Sequence, residues 1–321
     1  MVSKRMRPVW WTVSAVMAVG VVGVLGAVWA FGPRIGIWLV PPSPERYGQD
    51  IVRMLDSGLY AHGAEWATAR QEALDALTSV HSFDEADAAL ADAVRVAGGH
   101  HSRIIPASSS SSDPDGGPVL PTVTVDGGIA TAVVPEFTGD SSAGQRYADT
   151  LAEGLVDADV CGVIVDLRGN GGGDMGPMLA GLAPLLPDGE VSSFVIRDQV
   201  TTVRLTDGTV SGGGTTTSTA AGATTLDVPV AVLTDGGTGS SGEQAAIAFH
   251  GLDRARSFGL PTAGYASVNQ TMTLYSGSTL ALAVGETEDR TGARFGDAPI
   301  APDQPSQDPV ADATAWLTGQ C

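Results

Sequence analysis

Residues 163–176 read VIVDLRGNGGGDMG, and residues 230–251 read VAVLTDGGTGSSGEQAAIAFHG. In each, an apolar run of strand length meets a glycine cluster and then a helical stretch. Consecutive glycines let the backbone turn sharply and aim N–H groups into open space. Such a loop can cradle a phosphate or hold an oxyanion. The first segment lacks the Lys-Ser/Thr ending of a P-loop and the order of a dinucleotide fingerprint, which favours the oxyanion reading. In the second, Ser240 and Ser241 stand where a helix begins, and a helix N-terminus favours developing negative charge. A serine there can be a nucleophile on a tight elbow, or simply the cap of its helix.

Outward from these segments the chain alternates. Apolar strands at 123–125, 129–134, 160–167 and 228–233 are interleaved with helical stretches at 145–156, 175–186 and 242–252. This pattern predicts an α/β domain with a largely buried sheet. Between them, residues 190–226 are rich in Thr, Ser and Gly, and read as hairpins forming a lid. Upstream, residues 45–99 carry apolar positions at helical spacing, with Ser82 and Glu85 as a capping pair and Gly98-Gly99 as a stop. The boundaries are therefore a small helical domain at 45–99, a core at 100–305 containing the lid, and a C-terminal tail at 306–321. The stretch ASSSSSDPDGG, 107–117, reads as a surface loop.

The N-terminus reads as an anchor. Residues 9–31 carry no charge, span about 35 Å as a helix, and are preceded by Lys4, Arg5 and Arg7. Trp10 and Trp11 at one end, Trp29 and Trp38 at the other, suit the two interfaces. The charge bias places residues 1–8 in the cytoplasm and, beyond a linker at 32–44, everything else outside. The net charge of −19 argues against nucleic acid as a partner and would draw cationic ligands. Cys161 and Cys321, the only cysteines, could pair in an exported domain or stay apart, with Cys161 buried. No metal-ligand spacing is present.

DLRGNGGG and TGSSGE, in this order and each after a strand, resemble the signature segments of the tail-specific and C-terminal processing peptidases. Residues 257–270 (SFGLPTAGYASVNQ) and 279–304 resemble two later stretches of that superfamily, so the likeness covers about residues 98–304. It implies a crotonase/ClpP-like α/β core and a serine peptidase needing no metal or cofactor. The nucleophile would be Ser240, with the amides of Gly171, Gly172 and Ser241 as oxyanion hole. Processing peptidases generally use a lysine base. Its place is taken here by Tyr265, and the chain's single lysine is Lys4. GGHHSR, 98–103, resembles the GHS segment of the histidine-using branch, which makes His101 the implied base. Within that branch the likeness is greatest to the nisin-resistance proteins, which are short, anchored and lack a PDZ domain. Asp297, with Glu286 and Asp289 as alternatives, could orient the imidazole; a Ser–His dyad would also serve. Glu243 reads as a capping or packing carboxylate, and Asp166 with Arg168 as a buried ion pair fixing the glycine loop. The expected substrate is a peptide or protein tail outside the membrane, including cationic antimicrobial peptides such as lantibiotics. The rival is a catalytically idle binding protein on the same fold.

Overall fold

The computed structural model describes Val28, Gly32 and residues 41–107, 117–156, 159–215, 217–220 and 225–321. The span expected at 9–31 lies outside these apart from Val28. Among the described residues no helix is long and apolar enough to cross a membrane. The chain divides into two units, Met1–Ser110 with Gln270–Leu282, and Ser111–Asn269 with Ala283–Cys321.

The first unit is built on three helices: α1 (Pro44–Leu55), α2 (Gly63–Leu77) and α3 (Phe83–Gly98). Ser43 and Ser82 cap α1 and α3, accepting from the amides of Arg46 and Glu85. Glu85 reaches back to the His81 amide at 2.7 Å, one residue beyond the expected capping partner. Apolar residues at three- and four-residue spacing, among them Ile51, Leu55, Leu77, Leu90 and Val94, are fully buried between the helices. Gly99, at φ 77°, ends α3 in a conformation open to glycine. Strand β1 (Arg103–Ile105) follows, antiparallel to residues 279–281. Tyr47 donates to Asp87 at 2.5 Å, and Ser278 donates to the other Asp87 oxygen at 2.9 Å, holding the 270–282 segment on the helices.

The second unit carries a six-stranded sheet. Its strands are β2 (Thr122–Asp126), β3 (Ile129–Val133), β4 (Gly162–Asp166), β9 (Val230–Thr234), β10 (Ala255–Gly259) and β14 (Gln304–Pro305). β2 is the antiparallel edge, and β3, β4, β9, β10 and β14 run parallel in that order. Parallel strands are covered on both faces, which explains their continuous apolar runs. Successive side chains alternate between two cores. Val163 and Val165 join α4 (Ser141–Val156), α5 (Met175–Gly181) and α6 (Ser241–Ile247) on one face. Ile164, Ala231 and Phe258 meet Ala313 and Leu317 of α7 (Pro309–Thr318) on the other.

The tail expected at 306–321 is therefore largely a packed helix. Its alanines and single leucine gave too weak an apolar stripe to read without the sheet beneath. The chain end is held by a disulfide between Cys321 and Cys161. Residues 190–226 do contain hairpins: β5 (Gly189–Ile196), β6 (Gln199–Thr206), β7 (Thr209–Ser211) and β8 (Ser218–Thr219). Two-residue turns join the first three, with positive φ at Arg197, Asp207 and Gly208, as right-twisted hairpins require. Val203, Leu205 and Val210 are buried in the same core as α4–α6. β11 (Val268–Thr273) and β12 (Thr279–Asp289) complete the chain order with β13 (Arg294–Phe295). The end of β12 pairs antiparallel with β5.

Candidate active site

The two glycine-rich turns leave the ends of neighbouring parallel strands, β4 and β9, and are bolted together. Asp235 accepts from the amides of Gly169 and Gly237, both at 2.9 Å. Thr238 donates to the Leu167 carbonyl at 2.8 Å. Asn170, only 1% exposed, holds both turns at once. Its carbonyl accepts from the Gly239 amide at 2.9 Å, and its carboxamide accepts from the Gly172 amide at 3.0 Å. The same carboxamide donates to the Val134 carbonyl at 2.8 Å. Asp166 and Arg168 form an ion pair at 2.6 Å, but it is not the buried pair expected: Asp166 is buried whereas the arginine is exposed.

Ser240 occupies the N-cap position of α6 at φ 51°, ψ −118°. A non-glycine residue there is strained by about 1–3 kcal/mol. The strain is held by Glu243, a side chain with no solvent exposure. One Glu243 oxygen accepts from the amides of Ser240 (2.9 Å) and Tyr265 (2.7 Å). The other accepts from the Gly264 amide (2.9 Å) and the Thr262 hydroxyl. Burial pushes its carboxyl above the ordinary value of 4.5, against those donors, which pull it down. Its expected capping and packing role thus extends to joining the Ser240 turn to residues 262–265.

Gly172 packs on the serine turn. A Cβ there would lie 2.8 Å from the Ser240 Cβ and 3.0 Å from the Ser241 amide nitrogen. At φ 119° the position also excludes a side chain on conformational grounds. Ser241 spends its hydroxyl on the Gly173 carbonyl at 2.6 Å. Of the two adjacent serines, then, Ser241 is tied into the scaffold and Ser240 stands on the strained corner. Gly171, Gly172, Ser240 and Ser241 are brought together as the motifs suggested.

The other expected residues are placed as follows. His101 belongs to the first unit, just beyond α3; it is buried, whereas its neighbour His100 is exposed. Asp289 holds the His250 imidazole and accepts from Thr291 and Ala293. Burial works to raise its carboxyl, but Thr291, His250 and the backbone donors outweigh it and hold the group below its ordinary value. Glu286 pairs with Arg294 at 3.7 Å. Asp297 lies in the loop between β13 and β14, half-buried, with its carbonyl close to Gly264. Among the described residues no cluster of His, Cys, Asp or Glu could hold a metal ion. Asn170 was not singled out from sequence; its place inside the glycine cluster was the available signal.

A serine strained at a helix N-terminus, packed against a glycine loop with amides beside it, is an arrangement suited to acyl transfer. The profile of Peptidase family S41 matches residues 128–306, and the chain belongs to that family. It is a serine-type peptidase, acting on peptides or proteins. It is 36% identical over 298 residues to the nisin-resistance protein of Lactococcus lactis subsp. lactis, covering 92% of this chain and 94% of that one. Among solved structures it is similar to a lipoprotein from Streptococcus agalactiae, with TM-score 0.77 and 31% identity, over 89% of this chain and 99% of that one. The photosystem II D1 C-terminal processing protease shares the fold at TM-score 0.53 and 14% identity, over 84% and 94% of the two chains.

Proposed function

We propose that this peptidase is anchored in the cell membrane by residues 9–31, with residues 1–8 cytoplasmic and the catalytic part outside. It cleaves peptides or protein C-terminal tails through an acyl-enzyme on Ser240. The observation that carries the reading is the strained Ser240 corner with Gly172 packed against it. His101 takes the Ser240 proton as the hydroxyl attacks the substrate carbonyl, then returns it to the leaving amine. Water and the same imidazole release the acyl group. The choice of His101 is supported by its burial beside an exposed His100, by its GHS-like surroundings, and by the absence of any lysine beyond Lys4. Asp297 is the carboxylate we propose to orient it. Because the Gly172 amide already donates to Asn170, the oxyanion falls to the amides of Gly171 and Ser241.

The core is proposed to be crotonase-like and free of a PDZ domain, since only residues 106–121 separate β1 from β2, far below domain size. Residues 190–226 are proposed to act as a lid. Similarity to a nisin-resistance protein and the acidic charge support a cationic antimicrobial peptide of the lantibiotic class as substrate. Tyr265, standing where processing peptidases carry their lysine, favours a second reading: a peptide-binding protein without turnover.

The test is hydrolysis of casein and of a lantibiotic by the full-length chain, followed by mass spectrometry. Wild type should cut, and Ser240→Ala and His101→Ala should each lose about a thousandfold or more. Undiminished cutting by His101→Ala would remove it as base. Binding without any cutting by wild type would establish the second reading.

A further inference from the structure

Residues 135–138 run beside the glycine loop as a fixed rail. The Phe137 amide donates to the Gly172 carbonyl at 3.1 Å, and the Asp174 amide donates to the Phe137 carbonyl at 2.9 Å. Phe137 is 1% exposed and meets the Tyr147 ring edge-on at 5.1 Å. The Tyr147 hydroxyl in turn donates to the Pro135 carbonyl at 2.6 Å. The residue between these two pinned neighbours is Glu136, and its side chain is exposed. Its carboxylate lies directly over Gly171: a Cβ at that glycine would stand 2.9 Å from Oε2. Gly171 precedes the glycine that packs on Ser240. A solvent-facing carboxylate on a rigid backbone therefore flanks the amides beside the nucleophile. It takes part in none of the ion pairs among the described residues.

An exposed glutamate usually does no more than solvate a surface. Two features set this one apart. Its backbone is immobilised on both sides, so a ligand that engages the carboxylate has only the side-chain rotamers left to order. It also borders the point where a scissile carbonyl must rest if Gly171 helps hold the oxyanion. We propose that Glu136 is a specificity-determining residue that receives a lysine or arginine side chain of the substrate next to the scissile bond. This rests on the reading of Ser240 as nucleophile. The pairing would be partly solvated, so it selects among substrates without being needed for the chemistry, and salt weakens it.

Two fluorophosphonates that differ only in an ammonium-tipped or a methyl-tipped chain test this on the full-length protein. Wild type should be labelled at Ser240 about fivefold faster by the cationic probe, the worth of one solvated ion pair. Glu136→Gln should remove most of that preference without slowing the neutral probe, leaving only what the general field supplies, and Glu136→Lys should lower the cationic rate further. Glu153→Gln, an exposed acid on α4, should keep the wild-type preference, which separates a local contact from the general negative field. Equal rates in wild type, or a preference undiminished in Glu136→Gln, would overturn the proposal. Failure of both probes to label wild-type Ser240 would instead overturn the nucleophile reading beneath it.

Discussion

Ser240 adopts a backbone conformation that glycine would take freely, and the chain maintains it with Glu243 beneath and Gly172 alongside. Replacing Gly172 by alanine places a methyl group against the Ser240 Cβ and forces an L-residue to φ 119°. We expect this variant to lose most Ser240 reactivity and about 1–3 kcal/mol of stability, read from labelling rates and chemical denaturation. Glu243→Gln keeps the shape but turns an amide group toward N–H donors that need an acceptor. It should cost about 1–3 kcal/mol and slow Ser240 labelling, whereas an exposed control such as Glu153→Gln should do neither. The choice of Ser240 over Ser241 came from the resemblance to the processing peptidases, whereas the turn that carries both was legible in the sequence because a strand, a glycine turn and a helix start are local signals. The work of Asn170 and Glu243 was not, because their partners at Val134, Gly239 and Thr262–Tyr265 are brought to them only by the fold.

At the scale of elements, the strands β4 and β9, the helix starts after their glycine turns and the capped α3 were legible from apolar runs, glycines and Ser82, but α5 and α6 end at Gly181 and Ile247, five residues short of the expected 186 and 252. The C-terminal helix was hidden. Its burial depends on Ile164, Ala231 and Phe258 in strands far upstream, and on the link from Cys321 to Cys161. Cys321→Ser should lower stability by about 2–5 kcal/mol, and reductant should lower the wild type to the same level. The turn after β12 is held by ionised Asp289, whose carboxyl lies below its ordinary 3.8. A depressed carboxyl stabilises the fold above its unfolded-state value, and that contribution is lost as pH falls through the folded-state value. The stability gap between wild type and Asp289→Asn should therefore be full at neutral pH. It should begin to close as pH drops toward 3.8 and vanish at still lower pH, as denaturation at a series of pH values would show.

For the whole molecule, the net charge of −19 supplies a long-range field that favours cationic substrates on approach. Hydrolysis of a cationic peptide should slow several-fold between low and physiological salt, while a neutral peptide of the same length should change little. Composition made that field legible but could not say where a carboxylate meets the site; Glu136 emerged only when the rail at 135–138 was seen beside the glycine loop. The α/β class followed from alternation along the chain. The antiparallel strands at 189–219 were foreseen as hairpins, but their share in the core was not, because Val203, Leu205 and Val210 are scattered among threonines and find their partners in α4 and α5. The central claim, a serine nucleophile activated by a histidine, is tested most directly by treating the full-length protein with a fluorophosphonate and mapping the adduct by mass spectrometry. The account predicts one adduct, on Ser240, absent in Ser240→Ala and reduced by orders of magnitude in His101→Ala while both variants remain folded. An adduct on another serine, or undiminished labelling in His101→Ala, would contradict it.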